Sequence, residues 1–148
     1  MFRALTESGG GRIALATDCK GQAFKHYLSI LDADAFIAAT ACGDDVPHGK
    51  PYPRLVGTAL RKLGIPASQA VMVGDTPYDA EAGLEAGTMA AGVLTGGFTA
   101  AVLTLAGCFA VGEDLRSLLS SLEGGEAVSN EQAAMATLLG VPSKRKAS

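Results

Sequence analysis

The stretch VMVGDTPYDAEAG, Val71 to Gly83, drives an apolar run into Gly74-Asp75 and then, past Thr76-Pro77-Tyr78, into an alanine-rich segment headed by Asp79. A short apolar run of this kind reads as a strand covered on both faces. Gly74 removes a side chain where a ligand or another backbone comes close. Asp75 then stands at the strand tip, and Asp79 lies in or near the first turn of a helix, able to turn back toward the same crevice. Two carboxylates so placed suit Mg²⁺, a hard ion that keeps several waters and takes one or two protein carboxylates. The plainer alternative is that Asp75 caps a turn and Asp79 complements the helix dipole.

The same alternation extends in both directions. Ile13 to Ala16, Ala35 to Ala39, Ala70 to Val73, Ala90 to Leu94 and Cys108 to Val111 are further strand-length apolar runs. Phe24, Tyr27, Leu28 and Leu31 recur at helical spacing, as do Val56, Ala59, Leu60 and Leu63, which end at Gly64, a C′ glycine. Asp79 to Ala86, Thr99 to Ala106 and Glu113 to Leu122 complete the helical segments. Strand and helix in turn predict a doubly wound α/β sheet with right-handed crossovers. Residues 1–12 read as the end of a helix entering a Gly9-Gly10-Gly11 turn, and Asn130 as the cap of a short helix to Leu139 before a frayed terminus. The domain expectation is a core over 1–123 and a tail over 124–148.

A chain of 148 residues is one domain's worth, and its net charge of −3 argues against nucleic acid or an anionic membrane as partner. Lys144-Arg145-Lys146 is a short solvated tail. Cys19, Cys42 and Cys108 are odd in number, far apart and without a C-x-x-C pair, so neither a disulfide framework nor a zinc site is expected, and a reducing cytoplasm is the default location. The amino-terminal residues lack the apolar run of a secretory signal. Ala86 to Gly112 carries no charge, but Gly92, Gly96, Gly97 and Gly107 divide it into strand and short-helix lengths, so no membrane span is expected.

Ligands of open α/β sheets sit beyond the carboxyl ends of the strands. Thr17 follows IALA, and Asp18-Cys19-Lys20-Gly21 then opens a helix whose free N–H groups favour a phosphate oxygen; the alternative is that Thr17 merely caps that helix. In GDDVPHGKPYPRL, Pro51 and Pro53 stiffen the backbone beside Lys50, whose ammonium would neutralise phosphate charge if it is not simply solvated.

Taken together and in this order, these residues resemble the haloacid dehalogenase-like hydrolase superfamily, especially its phosphoglycolate-phosphatase-like branch. IALAT resembles the family's second motif, GDDVPHGKPYP the third and VGDTPYDAEAGLEAGT the fourth, followed by GVLTGGF; the match runs from Ile13 to Leu122. The resemblance implies a three-layer α/β/α Rossmann-like core and a Mg²⁺-dependent phosphatase acting on a small phosphorylated metabolite. It implies that Thr17 and Lys50 act on the transferred phosphoryl group, with Asp18 beside them, and that Asp75 and Asp79 serve the metal.

The family's first motif, D-x-D-x-T after a strand, supplies its nucleophile and is not found in this sequence; nor is the cap that selects substrate. Asp32-Ala33-Asp34 is a D-x-D, but it precedes a strand. The chain therefore resembles the carboxyl-terminal part of such a core, expected to be inactive alone. The rival expectation is a non-catalytic module that keeps an anion or Mg²⁺ crevice, or that self-associates through an exposed strand. Gly9-x-Gly11-x-x-Ala14 imitates a dinucleotide fingerprint but precedes a strand, and Cys19 lacks the following arginine of a cysteine-phosphatase loop.

Overall fold

The computed structural model describes residues 11–31 and 35–124. Five strands alternate with five helices: β1 (Ile13–Ala16), α1 (Gly21–Leu31), β2 (Ile37–Ala41), α2 (Arg54–Leu63), β3 (Val71–Gly74), α3 (Pro77–Glu85), β4 (Met89–Val93), α4 (Ala100–Leu105), β5 (Val111–Gly112) and α5 (Leu115–Gly124). The expected Gly9-Gly10-Gly11 turn, the Asp32-Ala33-Asp34 stretch and the helix from Asn130 lie wholly or partly outside the described residues.

All pairings are parallel, as the near-continuous apolar runs predict, but they form two ladders and not one. β1 pairs with β2, and β3 pairs with β4, which pairs with β5; among the described residues β1 and β3 are not joined. Register places Met72 beside Ala90 and Val73 beside Ala91, so alternate side chains divide the larger ladder into two faces. On one face Met72 packs with Val56 and Leu60 of α2 and Ala82 of α3. Ala90, on that same face, meets Ala80 of α3 and Leu103 of α4. On the other, Val71, Val73, Ala91 and Val93 pack against Leu118 and Leu122 of α5. The result is the three-layer α/β/α arrangement. Ala14 and Ala16 of β1 lie against Leu55 and Ala59, so α2 spans both ladders.

Several boundaries move for physical reasons. β2 runs to Ala41, two residues past the expected end, because Thr40 suits a pleated strand as well as an aliphatic residue does. The ladder at Cys108–Val111 is partly irregular: Phe109 N–H donates to Ala90 O and Gly92 N–H to Ala110 O, while β5 itself is Val111–Gly112. α2 ends as its periodicity predicts, with Gly64 at φ 68° and its N–H on the carbonyls of Leu60 and Arg61. α1 forms, but its apolar stripe is poorly covered: Tyr27 is 56% exposed and Ile30 63% exposed.

Leu103 is fully buried between α3, β4 and the Cys108 turn. Leu103→Ala is expected to cost about 2–5 kcal/mol, read as a lower denaturant midpoint at unchanged slope. Asp45 accepts from Cys42 N–H at 2.8 Å and from the Lys62 ammonium at 3.2 Å, which hold its carboxyl below the usual range, the backbone bond most strongly. Its stabilisation is therefore present above the unfolded value near 3.8 and is lost as pH falls through the lower folded value. Asp45→Asn is expected to flatten the acid limb of the stability curve, measured by denaturation at stepped pH.

Candidate active site

The Asp79 side chain is the hub of the site. It occupies the third position of α3, where it turns back over the helix start as the dipole and the capping geometry favour. Thr76 is the N-cap: its hydroxyl accepts from Asp79 N–H at 3.3 Å. One Asp79 oxygen, Oδ2, accepts from Asp75 N–H at 3.1 Å, Thr76 N–H at 3.0 Å and Thr76 Oγ1 at 2.9 Å. The other, Oδ1, accepts from the Lys50 ammonium. Four donors thus engage both oxygens of a carboxylate that is only 7% exposed. A Cβ at Gly74 would collide with this side chain, so the close approach that the glycine permits is that of Asp79.

Lys50 arrives from the loop between β2 and α2, next to a cis peptide bond to Pro51. Its ammonium bridges Asp79 and, at 3.7 Å, Asp18 Oδ2. The loop is tethered by its backbone as well, since Lys50 N–H donates to Asp18 Oδ1 at 2.9 Å. Gly49 lets that carboxylate approach, because a Cβ there would overlap it. Asp18 follows β1 and Asp79 follows β3, so one lysine joins the carboxyl ends of both ladders. In a half-buried setting such paired, hydrogen-bonded charges fix geometry more than they add stability.

Thr17 sits at the end of β1, its N–H on Ala41 O and its hydroxyl accepting from Cys19 N–H at 3.2 Å. It does not cap α1. The Gly21 N–H at the start of that helix is taken by Asp44 Oδ2 at 2.7 Å, so one of the expected free amides there already holds a carboxylate. Asp75 stands at the tip of β3, where Thr95 Oγ1 donates to its Oδ2 at 3.3 Å. That is the one hydrogen bond to its carboxylate among the described residues, so lone pairs remain for a ligand. Burial, and after it the charge of Asp79, pushes the Cys108 thiol up.

The parallel α/β layers and this rim agree with the comparisons. The family model described as haloacid dehalogenase-like hydrolase matches residues 1–93. The chain belongs to the haloacid dehalogenase-like hydrolase family. It is 46% identical over 66 residues to the pyrophosphatase PpaX of Bacillus velezensis, covering 45% of this chain and 31% of that protein. Against PpaX of Bacillus cereus it is 34% identical over 84 residues, 57% of this chain and 39% of the relative. A haloacid dehalogenase family hydrolase from Deinococcus radiodurans, solved with bound phosphate and sodium, superposes with a TM-score of 0.73 at 26% identity, over 83% of this chain and 56% of its own. A putative beta-phosphoglucomutase from Thermotoga maritima gives 0.72 at 26% identity, over 84% and 58%. The chain thus spans 31% to 39% of these curated relatives' length and little more than half of these solved ones.

Within this family member the fold brings together Lys50, Asp18 and Asp79 by direct contact, with Asp75 one backbone hydrogen bond away. Thr17 adjoins Asp18 but contacts none of them by hydrogen bond among the described residues. Sequence reasoning missed Thr76, although Thr76-Pro77-Tyr78-Asp79 has the spacing of a capping box. It also missed Asp44 and Thr95, for which no local signal exists. Asp79→Ala removes the partner of a buried ammonium and half of the capping box. It is expected to lower stability by about 3–5 kcal/mol, whereas the exposed neighbour substitution Glu81→Ala should stay within about 0.5 kcal/mol, both by urea denaturation.

Proposed function

We propose that this chain carries the phosphate- and metal-binding part of a Mg²⁺-dependent phosphohydrolase acting on a small phosphorylated metabolite. The observation that carries the reading is the meeting of Lys50, Asp18 and Asp79 across the carboxyl ends of β1 and β3, with Asp75 at the adjoining tip. The relatives called pyrophosphatases and the solved relative that holds phosphate support the same substrate chemistry.

The donors fit a hard cation. Among the described residues no three His, Cys, Asp or Glu side chains gather, and the oxygens available are those of a rim carboxylate, leaving room for water and substrate oxygens as Mg²⁺ prefers. Asp75 is the residue with the freer carboxylate to bind it; Asp79, engaged at both oxygens by its own donors, acts by holding Asp75 and Lys50 in place. Bound there, the ion would offset negative charge on the phosphoryl group. Lys50 supplies a positioned ammonium to a phosphate oxygen, Thr17 a hydroxyl donor, and Asp18 a backbone N–H while its carboxylate holds the Lys50 loop. The family's aspartate nucleophile belongs to a D-x-D-x-T segment, and these 148 residues contain none. Three free cysteines accord with a reducing cytoplasm.

A second reading, binding without hydrolysis, is favoured by the engagement of each rim carboxylate as a hydrogen-bond acceptor. Calorimetry separates the parts of the proposal. Inorganic phosphate is expected to bind the 148-residue chain only with Mg²⁺ present, Lys50→Ala to weaken it at least about tenfold, and Asp75→Asn to abolish this Mg²⁺-dependent binding. Joined to a D-x-D-x-T segment, the protein is expected to hydrolyse an aryl phosphate, with Asp75→Asn costing about a hundredfold or more in kcat/KM. Binding with no turnover across a range of phosphate esters would leave the second reading.

A further inference from the structure

The outward side of α2 departs from helix preference at two positions. Arg54, Gly57, Thr58 and Arg61 recur at i, i+3, i+4 and i+7, so they share the side away from Val56, Ala59, Leu60 and Leu63. A glycine inside a helix weakens it relative to alanine. At Gly57 no neighbour requires one, because no atom beyond the adjoining backbone lies within 4 Å of where a Cβ would stand. Arg54 opens the helix, where the dipole disfavours a cation, and no acidic residue stands in the first turn to offset it. Among the described residues the ion pairs are those of Lys50 and Lys62, so Arg54 has no carboxylate partner there. Arg61 donates to Thr58 Oγ1 at 2.8 Å, which holds its guanidinium over the same side and leaves most of its donor fork for another acceptor.

These residues line a groove of two adjoining parts that share Pro47 and Arg54. The first, of about 380 Å³, lies among Pro47, His48, Tyr52 and Pro53. The second, of about 480 Å³, runs along Gly57, Thr58 and Arg61. Each volume is of small-ligand size. The parts differ in chemistry. In the first, the His48 and Tyr52 rings stand 5.4 Å apart at 41°, and Tyr52 is 57% exposed, which leaves ring surface for a planar group. A turn closed by Tyr52 N–H on Gly49 O at 3.1 Å holds that ring in place. In the second, Arg54 and Arg61 stand nearly two helical turns, about 10 Å, apart with Gly57 between them. Asp45, the acidic residue of the lining, already accepts from Lys62 and Cys42 N–H. The groove is therefore cationic on a chain whose net charge is −3.

We propose that this groove is a second ligand site, which binds a nucleoside diphosphate without metal. The base stacks on Tyr52 beside His48, and the two phosphates lie over Gly57 between the Arg54 and Arg61 guanidiniums, which suit phosphate oxygens as paired donors. The bare backbone at Gly57 lets the phosphates approach the helix between the arginines, and the anion supplies the charge that the start of α2 lacks. Each departure from helix preference thereby acquires a reason. The site is separate from the rim proposed above: it uses neither Lys50 nor Asp75, and it needs no Mg²⁺. Its aromatic wall nevertheless belongs to the loop that delivers Lys50, since His48 and Tyr52 lie two residues to either side of it.

Calorimetric titration of ADP into the whole 148-residue chain, in EDTA and about 0.15 M salt, tests it. ADP is expected to bind about tenfold or more tightly than either adenosine or inorganic pyrophosphate, because each of those fills only one part of the groove. Gly57→Gln is expected to weaken ADP about tenfold or more while raising the denaturant midpoint, so the loss is not one of folding. Arg54→Ala is expected to weaken it by a similar factor. Lys50→Met, which alters the rim and keeps the backbone bond to Asp18, is expected to stay within about threefold of the unaltered chain. The proposal is overturned if millimolar ADP gives no binding in EDTA, or if adenosine or pyrophosphate binds as tightly as ADP. It is equally overturned if Gly57→Gln leaves ADP binding unchanged, or if Lys50→Met weakens it as much as Arg54→Ala does.

Discussion

One carboxylate holds the candidate site together. Asp79 receives Asp75 N–H, Thr76 N–H, the Thr76 hydroxyl and the Lys50 ammonium. The first three bonds belong to the turn between β3 and α3, and the last crosses to the loop after β2. The side chain that finishes a helix start is therefore the one that fixes a cation from the other ladder. Burying an ammonium and a carboxylate gains little net free energy, because desolvation offsets most of their attraction. What it secures is position: neither group has a better partner, so the loop and the turn keep a single relative arrangement.

That arrangement depends on helices as much as on strands. α2 lies over β1 with Leu55 and Ala59 and over the Met72 side of β3 with Val56 and Leu60. The separate ladders are thus carried side by side by a shared layer, with the rim residues gathered at the carboxyl ends where an α/β sheet offers its crevice. A polar rim that carries an ammonium suits a site that receives an anion. The glycines at 49 and 74 make the junction compact, since a side chain at either would displace Asp18 or Asp79.

Much of this was legible in the residues. The apolar runs at Ile13 and Val71 became parallel strands, and the periodic segments ending at Gly64 and Ala86 became helices, because burial on both faces and a helical stripe leave local patterns. The α1 stripe was equally legible yet left Tyr27 and Ile30 exposed, since periodicity says which face wants cover and not whether a neighbour supplies it. Thr17 was read as a phosphate-binding residue with a helix cap as the alternative, and it is Asp44 that takes the Gly21 N–H at the start of α1, from 23 residues away in sequence. A contact so remote leaves no trace in local spacing.

The sequence by itself determined the order and type of the elements, the family and the residues offered to the rim, because each of these is written in short-range spacing and in side-chain chemistry. Only the tertiary structure decided that Asp79 would engage both oxygens with its neighbours while Asp75 kept lone pairs, and that, among the described residues, β1 and β3 would lie in separate ladders. Those outcomes depend on which distant groups reach a given atom first, and that is settled by packing between elements far apart along the chain.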